Sequence, residues 1–267
     1  MTYAFGYSAT ERARLLAQSL RFASITERFL RDAGVRVGHR VLDVGAGFGD
    51  VAMVAARLVG PGGKVVGVER SGESIAFAEQ RIAAYGYANV RFVCCELDSF
   101  QTEECFDAVV GRLILEFIPE PVAAIRSLRP LLRSGGIAAF QEPWWETVPG
   151  FVAHLPLWSR CYALAGDGLR RRGANPELGA TLHRILESAG FERAVTRFDV
   201  ILNDSPELAR WPWEVLRAML GDAGDAHLDL KELGDLSTLP ARLENEVRTA
   251  GCVVPSVPLA GVWARNP

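Results

Sequence analysis

The stretch Val41-Leu42-Asp43-Val44-Gly45-Ala46-Gly47-Phe48-Gly49-Asp50 holds three alternate glycines between two carboxylates. Glycines in such a run let a backbone turn tightly and come close to a ligand. Some twenty residues beyond Gly49, Glu69 closes the next apolar run, where a carboxylate can accept hydrogen bonds from both hydroxyls of a ribose. The spacing is G-x-G-x-G, whereas a pyrophosphate-binding dinucleotide loop has G-x-G-x-x-G. Asp50 at a helix start repels a pyrophosphate and is compatible with an ammonium, and Asp43 adds a second negative charge. The pattern therefore suits a ligand with a ribose, no phosphate and a positive charge. A glycine turn that merely closes a strand–helix corner is the plain alternative, opposed by Asp43 and Glu69 standing in register. A nicotinamide oxidoreductase is a further alternative, opposed by Asp50 and by the loop spacing.

These residues need a scaffold. Residues 40–44, 64–68, 90–94, 106–110 and 137–141 are short, apolar and β-branched, and read as strands. Helices over 50–58, from a Ser71 cap to about residue 85, and over 119–132 fall between them. Such alternation implies an α/β fold, with a parallel sheet covered on both faces and right-handed crossovers. Ligands then bind beyond the carboxyl ends of the strands. A helix over 9–33 precedes this run. After residue 142 the order changes. An aromatic, helix-forming stretch over 143–173 leads to a helix over 176–189 and a strand over 192–202. Then follow a helix from Ser205-Pro206 to residue 220, a loop-like acidic stretch over 221–237, a helix over 239–250 and a last strand over 259–264. No linker rich in Gly, Ser or Pro divides the chain. It reads as one domain over 1–267, with N-terminal helices over 1–36 and insertions over 143–175 and 205–255.

Composition narrows the function. Hydrophobic types make up 49 % and charged types 23 %, which excludes a disordered chain. Twenty-nine Lys+Arg against 32 Asp+Glu leave a net charge of −3, which argues against a dedicated nucleic-acid binder. No segment approaches the roughly 18–20 apolar residues of a membrane helix, and the first residues lack the pattern of a secretory signal. The five cysteines (Cys94, Cys95, Cys105, Cys161, Cys252) have no C-x-x-C spacing and read as reduced thiols of a cytoplasmic protein. His39, His154, His183 and His227 are scattered, so no metal site is expected.

The order of the motifs resembles the class I S-adenosylmethionine-dependent methyltransferases, of the bacterial small-molecule type. Phe92-Val93-Cys94-Cys95-Glu96-Leu97-Asp98 matches that family's acidic motif after the third strand, with Cys95-Glu96 where Gly-Asp is usual. Phe106-Asp107-Ala108-Val109-Val110-Gly111-Arg112-Leu113 matches its fourth-strand motif, and Leu131-Leu132-Arg133-Ser134-Gly135-Gly136 the segment before the fifth strand. The matches run in order from residue 37 to 142. The resemblance implies a Rossmann-like seven-stranded sheet in the order 3-2-1-4-5-7-6, its last strand antiparallel. It implies S-adenosyl-L-methionine as cofactor and S-adenosyl-L-homocysteine as product. Asp43, Gly45, Gly47, Gly49, Glu69, Arg70, Glu96, Leu97, Gly111 and Arg112 would surround that cofactor. Glu96 would receive the adenine amino group, and the Leu97 amide would meet a ring nitrogen. Tyr7 and Gln18 lie in a segment resembling the one that closes over the cofactor in small-molecule members.

Methyl transfer is an in-line displacement at a carbon that the sulfonium already activates. Alignment alone can supply on the order of 7–11 kcal/mol of the barrier. A dedicated base adds about 10²–10⁴-fold and is optional. Glu142 after the fifth strand, Glu116 after the fourth and His154 in the insertion are the candidate bases, each with an ordinary structural role as its alternative. Phe5, Trp144, Trp145, Trp158 and Trp211 are candidate substrate contacts for a planar aromatic or polycyclic metabolite of bacterial secondary metabolism. Packing of the extra helices is the other reading of these aromatics. Gly111-Arg112-Leu113-Ile114 stands where nucleobase and protein amino-methylases often carry Asn/Asp-Pro-Pro-aromatic, which lowers the expectation of a nucleic-acid partner. O-, N- and C-methylation stay open. So do a homodimer and a non-methylating enzyme (cyclase, decarboxylase or pericyclic catalyst) on the same scaffold.

Overall fold

The fold, taken from a computed structural model, is described for residues 9–220 and 228–267, with side chains from residue 12 onward. In chain order the elements are α1 (Ala9–Ala33), β1 (Arg40–Val44), α2 (Asp50–Val59), β2 (Lys64–Glu69), α3 (Gly72–Ala84), β3 (Val90–Cys94), β4 (Phe106–Arg112), α4 (Pro121–Leu128) and β5 (Leu132–Pro143). They continue as α5 (Pro149–Val152), α6 (Pro156–Arg171), α7 (Leu182–Ser188), β6 (Val195–Asp199), β7 (Leu202–Asn203), α8 (Pro206–Leu220), α9 (Leu239–Ala250), β8 (Val254–Pro255) and β9 (Leu259–Arg265).

The chain divides into two compact units. One holds residues 19–142, 179–197 and 260–267. Its sheet has the order β3-β2-β1-β4-β5-β9-β6. Leu42 stands opposite Val66 of β2 on one side and Val109 of β4 on the other, both in parallel register. Buried apolar strands of this kind can pair in parallel only when helices cover both faces. Phe29, Leu30 and Ala33 of α1 and the apolar side of α2 cover one face, over Val41, Val65, Ala108, Val110, Ile137 and Ala139. Ser71 caps α3, its hydroxyl oxygen accepting the Ser74 N–H at 3.2 Å. The final strand is antiparallel to β5, because Asn266 exchanges backbone bonds with Gly135 and Gly136 where β5 begins.

The predicted order therefore holds, with the last strand ninth in the chain because β7 and β8 pair as a separate ribbon. Several boundaries differ from expectation, β5 already starting at Leu132 rather than residue 137. The helix after β4 stops at Leu128, and a 3-10 turn over Arg129–Leu131 contains Pro130, which has no N–H to continue the ladder. The helix expected from residue 176 starts at Leu182, after a 3-10 turn over Leu178–Ala180. The strand expected over 192–202 is only Val195–Asp199.

The other unit comprises residues 143–178 and 198–259 together with the start of α1. Four rings form its centre. Tyr162 lies between Trp145 and Trp158, stacked on both at 4.5 and 5.4 Å, and Trp211 meets all three edge-on at 5.5–5.8 Å. Pro156 starts α6, and the Glu246 carboxylate of α9 accepts the Leu157 and Trp158 N–H groups at 2.9 and 2.8 Å. That satisfies two of the amides a helix N-terminus leaves without partners.

Candidate active site

The glycine loop leaves β1 at its carboxyl end. Gly45 has φ +66, and a Cβ on it would lie 2.5 Å from the Ile114 side chain. Only glycine fits there, for both reasons. Gly47 (φ +51) faces open space instead, its nearest neighbour being the Gly45 carbonyl at 4.0 Å. Glu69 at the end of β2 braces this loop: one carboxylate oxygen accepts the Gly47 N–H at 3.0 Å and the other the Ser71 N–H at 2.9 Å. Each oxygen keeps a lone pair for a further donor. Asp43 is 1 % exposed, and one of its oxygens finds no donor. Burial pushes its pKa up to about 8, with Asp50 and Glu69 acting in the same direction and Arg112 against them.

Across the sheet, Arg112 of β4 is buried and donates to the Thr26 hydroxyl oxygen at 2.8 Å. The Thr26 hydroxyl in turn donates to Gln141 Oε1 of β5 at 2.7 Å. Asp50 accepts from Ser19 and from Arg81, both at 2.6 Å, and lies 4.0 Å from Arg112. Its charge is thus matched within the protein, a pairing that the sequence did not reveal. Gly111 is required by crowding, since a Cβ would stand 2.9 Å from the Phe140 ring.

Glu142 is fully buried, and its oxygens accept the N–H groups of Ile114, Leu115 and Glu116 at 3.1, 3.0 and 3.2 Å. These bonds give it a bracing role that its reading as a candidate base did not include. The carboxylate binds the turn after β4, where Leu113 has φ +55, and Ile114 of that turn packs on Gly45. Burial nevertheless raises its pKa to about 7 against the pull of those three amides. Glu116 is buried in the same turn. At the far end of the row, Arg70 lies 3.9 Å from the exposed Glu96, and Leu97 opens a 3-10 turn.

The remaining predicted residues belong to the other unit or lie outside the described residues, as Phe5 and Tyr7 do. Gln18 accepts from Arg14 at 2.8 Å. His154 is exposed. Trp145, Trp158 and Trp211, expected as substrate contacts, are buried in the ring cluster with Tyr162. Trp144 is half-buried and meets Phe198 edge-on at 5.9 Å. Thr26, Gln141, Ser19 and Arg81 are the residues that sequence reasoning missed. Among the described residues no group of three His, Cys, Asp or Glu could hold a metal, and no helix is long and apolar enough to cross a membrane.

With this geometry in hand, comparisons extend it. The model of a methyltransferase domain family matches residues 36–190. A demethylmenaquinone methyltransferase of Staphylococcus aureus is 27 % identical over 177 residues, covering 62 % of this chain and 73 % of that protein. A SAM-dependent methyltransferase from Aquifex aeolicus superposes with a TM-score of 0.54 at 21 % identity, over 71 % of this chain and 93 % of that one. The [4+2]-cyclase SpnF superposes with a TM-score of 0.56 at 22 % identity, over 92 % of this chain and 81 % of that one. At such identities the two structures speak for the fold.

Proposed function

The chain belongs to the methyltransferase domain family, and on that premise we propose that it methylates a small aromatic or polycyclic metabolite of bacterial secondary metabolism in the cytoplasm. The methyl donor is S-adenosyl-L-methionine, whose sulfonium supplies the activated methyl group. The observation that carries the reading is the fit of the loop to that donor. Glu69 keeps lone pairs for ribose hydroxyls, Asp43 keeps an unmatched oxygen for a cationic group, and Gly47 leaves open space beside the backbone. Glu96 and Leu97 are assigned to the adenine, and Tyr7, Gln18, Gly111 and Arg112 to the rest of the cofactor.

The chain's own work is then alignment and exclusion of water. The Glu142 carboxylate fixes the 113–117 turn, and that turn fixes the glycine loop through Ile114 and Gly45. A proton-accepting residue, where the nucleophile needs one, is assigned to Glu142, Glu116 or His154. Substrate selection is assigned to the insertions over 143–175 and 205–255, with half-buried Trp144 as one aromatic that keeps exposed surface.

The test is calorimetric titration with S-adenosylhomocysteine, followed by a labelled-donor screen over planar phenols, amines and enols. Wild-type protein should bind the product, and Glu69→Ala should weaken it by about 1–3 kcal/mol, the cost of leaving ligand polar groups unpaired. A wild-type chain with no affinity for the product sinks the proposal. Turnover that persists with S-adenosylhomocysteine in place of the donor would assign the chain to non-methylating chemistry.

A further inference from the structure

We infer that Gln141 is a ligand-binding residue whose side-chain amide donates to the carboxylate of an amino-acid zwitterion. The inference rests on the cofactor reading above and deepens it. Gln141 stands beside Arg112 in the β4–β5 register and is 1 % exposed. Two hydrogen bonds set its orientation. Arg112 carries only donors, so the Thr26 oxygen at 2.8 Å must accept from it. The Thr26 hydroxyl hydrogen then needs an acceptor, and Gln141 Oε1 at 2.7 Å provides it. Turning the amide over would leave that hydrogen facing an N–H₂ group. The amide nitrogen is therefore directed away from Thr26, and it has no partner. Native folds rarely bury an amide donor without an acceptor.

The surroundings select the acceptor. Asp43 stands opposite Val110 in the β1–β4 register, and Val110 and Arg112 are two residues apart on one strand. Alternation along strands thus puts Asp43, Arg112 and Gln141 on one face, at the carboxyl edge of three adjacent strands. On that face β1 offers an unmatched carboxylate oxygen, while β4 and β5 offer a cation and an unmatched donor. Once an approaching ammonium displaces the Asp43 proton, the polarity runs from negative to positive across the edge. An ammonium directed to Asp43 with a carboxylate directed to Gln141 matches it. A neutral oxygen would gain less from the neighbouring guanidinium.

Calorimetry with two probes tests this. S-adenosylhomocysteine carries the amino-acid end, and 5′-methylthioadenosine lacks it. Gln141→Met should lower affinity for the first about tenfold, the loss of one charge-assisted hydrogen bond, and leave the second within about twofold. Gln141→Glu should lower the first further, since like charges then meet. That variant keeps the acceptor for Thr26, so it decides the matter if the methionine variant does not fold. Equal losses for both probes would mean general loosening of the site and overturn the inference, as would unchanged affinity for S-adenosylhomocysteine. Wild-type protein that binds neither probe overturns the cofactor reading itself.

Discussion

Asp43 shows how far single residues can be read. Its type and its place two residues before Gly45 were legible, because a strand end and a glycine loop are local features. Its ionisation was not, since that depends on burial under α1 and α2 and on Arg112, sixty-nine positions away in the chain. The consequence is a pH dependence with a definite sign. Without a cationic ligand beside it, folded Asp43 keeps its proton up to about pH 8, whereas in the unfolded chain it gives it up near the ordinary 3.8. Between those values the folded state binds more protons. Stability therefore falls as pH rises from about 4 to about 8 on account of this group. Asp43→Asn has no proton to lose. Urea unfolding across that window should show the wild type losing up to about 1.4 kcal/mol more per pH unit than the variant. Parallel curves would show that Asp43 is ionised throughout.

At the scale of elements, period and punctuation located β1 to β5 and the helices between them, because central strands buried on both faces read as continuous apolar runs, while the edge strand β3 is only partly buried. The turn after β4 was not legible as part of the site. Its backbone shape depends on Glu142, twenty-six to twenty-eight residues on, and on no local turn signal. The carboxylate at the end of β5 was visible by position, whereas its three amide partners were not. Removing it tests the assignment. Glu142→Ala leaves three amides of the turn without an acceptor, each worth about 1–3 kcal/mol when buried. Chemical denaturation should show a loss of several kcal/mol, with Glu142→Gln less affected because its carbonyl oxygen still accepts. An alanine variant as stable as the wild type would remove the bracing role assigned to Glu142.

At the scale of the whole molecule, the two units differ in how much their sequence disclosed. The sheet-bearing unit follows a widely shared order of motifs, whereas the insertions carry only a surplus of aromatics. Aromatics at helical spacing look alike whether they line a pocket or fill a core. Burial separates the two: Trp158 is fully enclosed against Tyr162 and Trp211, while Trp144 keeps exposed surface beside Phe198. Truncation should therefore split them. Trp158→Ala removes a large enclosed ring and should cost about 3–5 kcal/mol, read from the denaturation midpoint. Trp144→Ala leaves no enclosed cavity, so the midpoint should move little, and its effect should fall on KM for the methyl acceptor. An equal loss of stability in both variants would make Trp144 part of the same core, and substrate recognition would then have to come from other residues of the insertions. Should Trp158→Ala change KM while leaving the midpoint in place, the four-ring cluster would be a binding surface and the division by burial would fail.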